Sequence, residues 1–213
     1  MRVSSENNEL IKKWFQEEMA EGENGIVIYP NLQTFRQIYT EYVKDQLAKA
    51  VNEEEADENI DTLNKTLKPR IILIATFYET IDSVKHHLSA VGVDIQRHTD
   101  DGSLMIVDAF SCYYPDINGM KKLVASLSNR AAREGRVGVS AIVNMGYFFL
   151  FGGDGRATEL INYETSLPPK TEDGNVRGFS CYHIGNYNTL KDSQKEELTQ
   201  GQKKVLEVTE SAS

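Results

Sequence analysis

The stretch Gly102–Tyr114, with the sequence GSLMIVDAFSCYY, decides how the rest of the chain is read. Four consecutive apolar residues, Leu104 to Val107, stand between a Gly-Ser pair and the carboxylate of Asp108. An apolar run of this kind predicts a central strand of a parallel sheet, buried on both faces. Because ligands bind at the carboxyl ends of such strands, Asp108 is predicted to lie where recognition or chemistry takes place.

Size and composition predict one globular domain. The chain has 213 residues, of which 40% are hydrophobic and 26% are charged, and its formal net charge is −9. A chain of this length can bury one substantial core. Because an acidic surface repels a phosphate backbone, we expect no direct contact with nucleic acid.

The sequence also bears on cellular location. It contains no run of about 18 apolar residues that could span a membrane. Its first ten residues, MRVSSENNEL, do not resemble a signal peptide. The two cysteines, Cys112 and Cys181, lie far apart and indicate no disulfide framework. We therefore expect a cytoplasmic protein that contacts no membrane.

Apolar runs that alternate with helical patterns predict an α/β fold with a mostly parallel central sheet flanked by helices. The predicted strands are Gly25–Tyr29, Arg70–Phe77, Gly102–Phe110, Val137–Val143 and Arg177–Ile184. The predicted helices are Asn8–Glu21, Asn31–Val51, Thr80–Val91, Asn118–Glu134, Arg156–Ser166 and Ser193–Val208. The run Tyr147–Phe151 fits either a strand or a helical turn, and His98 is expected in a loop.

Three segments are predicted along the chain: an N-terminal amphipathic helix within residues 1–24, a single α/β domain over 25–208 and a disordered tail at 209–213. The helix carries an apolar stripe at helical spacing, made of Leu10, Ile11, Trp14, Phe15 and Met19. This stripe packs either on its own domain or on a partner, and a second copy as the partner would give a homodimer through this helix.

Nucleotide hydrolysis is not expected. A phosphate loop needs glycines that let backbone N–H groups close on phosphate, and a lysine that reaches the terminal phosphates. The first strand is followed by Tyr29–Thr34, YPNLQT, which contains neither. The strand that ends in Asp108 resembles a Walker-B strand, whose carboxylate holds Mg²⁺, but its companion loop is missing. No ligand spacing typical of zinc is found either, so we expect no cofactor and no metal.

A hydrolase-like enzyme is the first alternative. Cys181 and His183 stand two positions apart on one predicted strand and therefore share a face. A Cys–His pair oriented by Glu164 or by Asp108 would be a nucleophilic site, and Cys112 is the second candidate for a reactive thiol. The simpler alternative is that both cysteines act as small buried hydrophobes.

Aromatic and polar residues accumulate at the predicted strand ends. A mainly apolar pocket with a few polar groups suits a small organic ligand. The ligand-binding candidates from this set are Tyr29, Phe77, Tyr78, Glu79, Asp108, Tyr113, Tyr182 and His183.

The order of these elements resembles a known family. GIVIY and its helix are followed by IILIATFYETIDSVKHHLSAVGVDI, GSLMIVDAF, GVSAIVNMG, LINYETSLP and GFSCYHIGNY. Over about Gly25 to Leu198 this looks like the MEDS (methanogen/methylotroph, DcmR) sensory domain family. That family is regarded as a degenerate relative of RecA/KaiC-like ATPases that has lost its phosphate loop and senses small molecules. The resemblance implies a three-layer RecA/KaiC-like fold that lacks a Walker A loop.

The resemblance also implies site residues and a function. It places Tyr29, Asp108, Glu164 and Tyr182–His183 around a ligand pocket. Many members carry a histidine shortly before the first strand, and this chain departs from that pattern with Asn24. It implies a non-catalytic, cytosolic sensory domain, archaeal in style, that binds a small organic molecule and regulates a separate kinase or transcription regulator. The alternatives are an enzyme that uses Cys181/His183 or the strand-end carboxylates, and a nucleotide-binding or assembly protein without hydrolysis.

Overall fold

A computed structural model describes residues 5–19, 23–55, 68–150, 154–167, 176–200 and 204–209. The strands are β1 (Asn24–Tyr29), β2 (Ile71–Thr76), β3 (Leu104–Asp108), β4 (Val139–Asn144), β5 (Val176–His183) and β6 (Lys204–Glu207). They form one sheet in the order β3-β2-β4-β5-β1-β6, in which every pair of neighbours is parallel. The predicted α/β class and parallel sheet are confirmed.

Helices cover both faces of this sheet. They are α1 (Ser5–Lys13), α2 (Leu32–Glu55), α3 (Ile81–Ala90), α4 (Ile95–Asp100), α5 (Ala109–Tyr113), α6 (Gly119–Glu134), α7 (Asp154–Thr165), α8 (Ile184–Tyr187) and α9 (Asp192–Thr199). One hydrophobic core joins α1 to α4 with the first face, and a second core joins α5 to α9 with the other. The result is a three-layer arrangement consistent with a RecA-like fold. None of the described helices has the length and apolar character to cross a bilayer.

Helix ends follow the local sequence signals. The side-chain oxygen of Asn31 accepts a hydrogen bond from the backbone N–H of Thr34 at 3.0 Å and caps α2. Thr80 caps α3 in the same way, through the N–H of Ser83 at 3.2 Å. Gly135, with φ of 67°, ends α6 in the left-handed conformation that glycine adopts most easily. These caps explain why the predicted starts of α2 and α3 and the predicted end of α6 agree closely with the structure, whereas α2 continues to Glu55, beyond its predicted end at Val51.

The prediction that Gly102–Phe110 contains a central strand is wrong in position, because β3 is the outermost strand of the described sheet. Its apolar run has a different cause. Met105 and Val107 pack on the core of α5 to α9, and Ile106 packs on the core of α1 to α4. Helices therefore cover both faces of the edge strand. After Asp108 the chain turns directly into α5, whereas the prediction extended the strand to residue 110.

The predicted terminal helix Ser193–Val208 is wrong in its second half. Helix α9 ends at Thr199, and the chain then forms β6, which pairs with β1. Leu206 and Val208 are buried, whereas Val205 between Lys204 and Leu206 is 40% exposed. Burial of every second residue is typical of a strand, and this short pattern is the sequence signal for it.

The structure also contains a helix that the sequence patterns do not predict. Helix α4 carries His98, so the expectation that His98 lies in a loop is wrong. Asp94 caps this helix by accepting the N–H of Arg97 at 3.1 Å. Nδ1 of His98 lies 2.9 Å from Oγ of Ser103. A helix of six residues has too few apolar positions to show a helical period.

Two further segments resolve open points. Of the run Tyr147–Phe151, the first three residues belong to a 3₁₀-helical turn, Met145–Phe149, and Leu150 follows this turn. The N-terminal helix is α1 followed by a π-helical turn, Trp14–Glu18, in place of one helix over Asn8–Glu21. The predicted tail 209–213 lies outside the described residues except for Thr209.

The N-terminal helical segment packs on its own domain. Its buried side chains belong to the same core as α2 and β1, and they are Ile11, Trp14, Phe15 and Met19. The ring of Phe179 on β5 lies 5.8 Å from the ring of Trp14 and 5.0 Å from that of Phe15. Gly25 makes room for this contact, because a Cβ there would lie 2.7 Å from the Trp14 ring. A homodimer through this segment stays a prediction.

We expect Trp14→Ala to lower the free energy of unfolding by about 3–5 kcal/mol, because it removes a large buried side chain from a packed aromatic cluster. Urea denaturation followed by circular dichroism measures the change. Leu10→Ala is the matched control, since Leu10 on the same helix is 41% exposed, and a change within about 0.5 kcal/mol is expected there. Equal, small changes in the two variants would contradict packing of this segment in the core.

Candidate functional site

An apolar cavity of about 440 Å³ lies between α6 and the sheet. Its floor is formed by Ala141 and Val143 of β4 together with Gly178 and Ser180 of β5. Its roof is one side of α6, where the lining residues are Met120, Lys121, Val124, Ala125, Ser128 and Asn129. The volume falls within the range of small-molecule sites in proteins, about 300–1,000 Å³.

Small side chains on facing elements create this space. Ala141 and Gly178 on the sheet and Ser128 on α6 are small lining residues, and Ala125, which is exposed, is a small lining residue as well. A larger residue in place of Gly178 fits only if Asn24 moves, because a Cβ at this position would collide with the side chain of Asn24. The cavity therefore follows from residues that are distant in sequence.

The two ends of the cavity differ in character. Helix α6 follows β3 and precedes β4, so it runs from the carboxyl edge of the sheet to the amino edge. Lys121 lines the cavity near the first end, with Tyr113 and Met145, and Asn129 lines it near the second. Eight residues of helix separate Lys121 from Asn129, which corresponds to about 12 Å. The cavity is thus elongated along α6, and Asn24 lies at its far end.

The charge around the cavity is simple. Among the described residues that line it, Lys121 is the one charged side chain. Its ammonium nitrogen lies 4.4 Å from the centroid of the Tyr163 ring and donates a hydrogen bond to the hydroxyl of Ser166. Burial raises the pKa values of Tyr113 and Tyr163, so both phenols stay neutral at physiological pH. The described part of the lining therefore places an ammonium group beside Tyr163 and Ser166.

The carboxyl edge of the sheet gathers several predicted residues in a second place. The ring centroid of His183 lies 5.7 Å from that of Tyr29 and 6.3 Å from that of Tyr78. The buried hydroxyl of Tyr29 accepts a hydrogen bond from the side-chain amide of Asn144 at 2.8 Å. Burial raises the pKa of Tyr29. These residues form an aromatic cluster that closes the ends of β1, β4 and β5.

The strand-end carboxylates bind to the protein's own groups. Asp108 caps α5: its carboxylate accepts the N–H of Phe110 at 3.1 Å and the hydroxyl of Ser111 at 2.7 Å. The carboxylate of Glu79 is buried, and it accepts hydrogen bonds from Arg36 at 3.0 Å and from Ser83 at 2.9 Å. Among the described residues, no three His, Cys, Asp or Glu side chains converge on a cation site.

A shallow depression lies beside these carboxylates. Asp108 and Glu79 line it together with Phe77 and Tyr78, and its volume is about 540 Å³. It is separate from the cavity beneath α6, since the two share no lining residue. Four of the predicted site residues are therefore brought together, but around an open surface in which both carboxylates already have partners.

Glu164 and Tyr182 lie deep in the second core. Each has about 1% of its surface exposed, and neither lines the cavity beneath α6. Burial, and then the nearby Glu164 carboxylate, raise the pKa of Tyr182. Of the nine candidates predicted from the sequence, Tyr113 is the one that lines this cavity.

No phosphate loop follows β1. The chain passes from Tyr29 to the first residue of α2 through Pro30 and Asn31 alone. The ring of Tyr29 stacks on that of Phe35 in the first turns of α2, with the centroids 4.9 Å apart. A connection of two residues, without glycine, offers no row of backbone N–H groups to a phosphate. The predicted lack of a Walker A loop is confirmed.

The geometry around the two thiols does not favour nucleophilic chemistry. Cys181 is fully buried, its Sγ lies 3.6 Å from the carbonyl oxygen of Phe179, and burial raises its pKa. Cys112 is half-buried, and burial and Asp108 raise its pKa. Nδ1 of His183 accepts the N–H of Gly185 at 3.1 Å, and no hydrogen bond joins this imidazole to Cys181.

Sequence reasoning missed most of the cavity. Lys121, Ala125 and Ser128 stand beside the apolar face of α6, one position or more away from the residues that the helical period identifies as buried. The available signal was the occurrence of Ala141, Gly178 and Ser180 in strands that must be buried on both faces. Asn24, where this chain departs from the histidine of many family members, is also a lining residue.

Fold and site together define a three-layer α/β protein with a parallel sheet, a two-residue connection after β1 and a cavity between α6 and the sheet. No protein-family model matches the sequence, and no curated protein matches it significantly. The resemblance to the MEDS family therefore stays a prediction.

We expect Cys181 of the folded protein to react with iodoacetamide at least about ten-fold more slowly than a free cysteine derivative, and Cys112 to react more slowly than that derivative as well, because only the thiolate reacts and burial raises the pKa of both thiols. Mass spectrometry of tryptic peptides distinguishes Cys112 from Cys181. The control is the same reaction in denaturant, where both should react at the free rate. Alkylation of Cys181 in the folded protein above the free rate would favour the enzyme alternative.

Proposed function

We propose that this chain is a non-catalytic sensory domain that binds a small organic molecule in the cavity between α6 and the sheet and regulates a separate protein. The observation that carries the proposal is the cavity itself: about 440 Å³ of mainly apolar space with a few polar groups along its length. Such a composition is typical of sites for small organic ligands.

The surroundings of the cavity suit a response to binding. Its walls come from separate elements of the fold: the roof from α6, the floor from the paired strands β4 and β5, and one side from Tyr163 and Leu167 at the end of α7. A ligand that fits one spacing of these elements better than another shifts their populations. A small change in the position of α6 or α7 then alters the surface that a partner protein contacts.

Several observations disfavour the alternatives. Asp108 and Glu79 already have partners, and the chain between β1 and α2 is too short for a phosphate cradle. The thiol of Cys181 is buried, with a raised pKa. Ligand binding in the cavity needs none of these groups. It also gives a reason for the unfilled apolar space, which lowers the packing energy of the ligand-free protein. The partner, a kinase or transcription regulator, is part of the proposal.

We expect Ala141→Leu to weaken binding of a neutral apolar probe, 4-phenyl-1-butanol, by about ten-fold or more, because the added atoms occupy the floor of the cavity. Isothermal titration calorimetry measures the affinity. The matched control is Ala132→Leu, the same substitution at an exposed position of α6, which should leave the affinity unchanged. Ser128→Leu fills the cavity from the opposite side and serves as a second variant if Ala141→Leu unfolds.

Native mass spectrometry of the protein as purified from cells complements this titration. A mass above that of the 24.0 kDa chain that leaves on collisional activation in the wild type, and is absent in Ala141→Leu, would identify a bound molecule and its location. Failure of the wild-type protein to bind the probe would contradict the proposed function. Equal affinities of Ala141→Leu and the control Ala132→Leu for the probe would contradict it as well.

A further inference from the structure

The exposed aromatic side chains of the described residues lie at one place, after the carboxyl ends of β2 and β3. Among the eight large apolar side chains that are exposed there and elsewhere in the described chain, three are aromatic: Tyr78 at 43%, Phe110 at 36% and Tyr114 at 63% exposure. All three follow β2 or β3 within six residues, whereas the other five are aliphatic and belong to separate parts of the chain. Exposed aromatic rings that are gathered in one place are typical of an interaction site.

The protein itself holds these rings in position. Phe110 and Tyr114 stack, with their centroids 5.6 Å apart and an angle of 20° between the ring planes. Tyr78 packs edge-to-face on Phe77 at 5.0 Å, and its hydroxyl accepts a hydrogen bond from the side-chain amide of Asn186. Side chains that are ordered before a partner arrives lose little conformational entropy on binding, and this favours affinity.

Two carboxylates lie among the rings. Asp108 lines the depression beside Tyr78 and accepts the backbone N–H of Phe110 at 3.1 Å, so it lies between the two groups of rings. Its donors are backbone N–H groups and the hydroxyl of Ser111, which leave its negative charge in place. Asp82 lines the same depression and is exposed. No lysine, arginine or histidine in the described part of the chain forms an ion pair with either carboxylate.

Rings and carboxylates together indicate the chemistry of the partner. We call this set, Tyr78, Asp82, Asp108, Phe110 and Tyr114, the aromatic–acidic surface. An arginine guanidinium stacks on an aromatic ring and pairs with a carboxylate at the same time, and it does both better than lysine. With a net charge of −9, the chain attracts a basic protein at long range.

The same charge disfavours other occupants of the aromatic–acidic surface. Nucleic acids and anionic lipid surfaces are repelled by an acidic protein. A second copy of this chain would bring a like charge to Asp82 and Asp108, which costs binding energy at an interface. A basic segment of a different protein is therefore the occupant that the charges favour.

We propose that the aromatic–acidic surface is the docking site for the separate protein, which binds through a segment that carries arginine and apolar side chains. A guanidinium group stacks on the exposed ring of Phe110 or Tyr114 and pairs with Asp108, and the apolar side chains pack on the remaining rings. This inference rests on the proposed function for the existence of a partner, and it names the chemistry of that partner. It does not depend on which molecule occupies the cavity beneath α6.

The test measures binding of a short fluorescein-labelled peptide of arginine, leucine and serine to the full chain by fluorescence anisotropy. The reference peptide carries citrulline, an uncharged isostere, in place of each arginine. We expect the wild-type protein to bind the arginine peptide about ten-fold more tightly than the reference peptide. Asp108→Asn should weaken binding of the arginine peptide by about five-fold or more and change that of the reference peptide by less than about two-fold, because asparagine still caps α5 but carries no charge.

Matched variants separate this surface from general effects. Asp192→Asn makes the same change of charge at a side chain that is 98% exposed, on the helix that leads into β6 at the opposite edge of the sheet from β3, and it should leave both affinities unchanged. Tyr114→Ser should weaken binding of the arginine peptide by about five-fold. Val91→Ser, at an exposed apolar residue after the last turn of α3, should not weaken it. Thermal unfolding establishes that each variant is folded, and Phe110→Ser replaces Tyr114→Ser if the latter unfolds.

The outcomes separate this inference from the proposed function. Equal affinities for the two peptides in the wild type overturn the inference, and so does an affinity for the arginine peptide that Tyr114→Ser leaves unchanged. Equal weakening by Asp108→Asn and Asp192→Asn also overturns it, because overall charge would then be the cause. A wild-type dimer in native mass spectrometry that Tyr114→Ser converts to a monomer overturns it in favour of a second copy.

Binding of 4-phenyl-1-butanol is measured in the same variants as an independent readout of the cavity. If the alcohol binds and the arginine peptide does not, the inference fails and the proposed ligand site is still supported. If the arginine peptide binds in a manner that requires Asp108 and the alcohol does not bind, the proposed ligand site fails and the docking surface is supported.

Discussion

Coverage of a parallel sheet on both faces is the constraint on which the rest of this structure depends. Parallel neighbours require crossover connections, and those connections place helices on each side of the sheet. Every strand therefore needs apolar residues in both directions, including β3 at the edge. The same constraint positions the candidate site, because the cavity lies between two layers, α6 on one side and Ala141 and Gly178 of the sheet on the other.

Local signals in the sequence were sufficient for most elements and insufficient for their arrangement. The cap at Thr80 and the apolar period of α6 define helices, because a helix is stabilised by contacts within one turn. The place of β3 in the sheet depends on pairing with β2, which no local pattern contains. The cavity is more difficult still to predict from the sequence. It depends on the combined volume of residues such as Ala125, Ala141 and Gly178, so sequence reasoning found Tyr113 and missed Lys121.

Most of the site residues that the sequence predicts have structural roles in the fold. Asp108 ends an apolar strand, as a metal ligand in a nucleotide hydrolase would, and in the structure it caps α5. Tyr29 occupies the point where a phosphate loop would begin, and it stacks on α2 and bonds to Asn144. The carboxyl edge is thus occupied by aromatic rings and by polar side chains that bind groups of the protein itself. The accessible apolar space lies between the layers, and this difference in location supports a binding role over a catalytic one.

The short outer strands have a consequence for solubility during folding and in the crowded cell. Strands β3 and β6 have five and four residues, whereas β5 between them has eight. Unpaired backbone groups at a sheet edge are templates for aggregation, and short edges with charged residues limit the hydrogen bonds that a second sheet can form. Asp108 ends one edge, and Lys204 and Glu207 bound the other. The two edge strands of the described sheet therefore limit association with the strands of a second molecule.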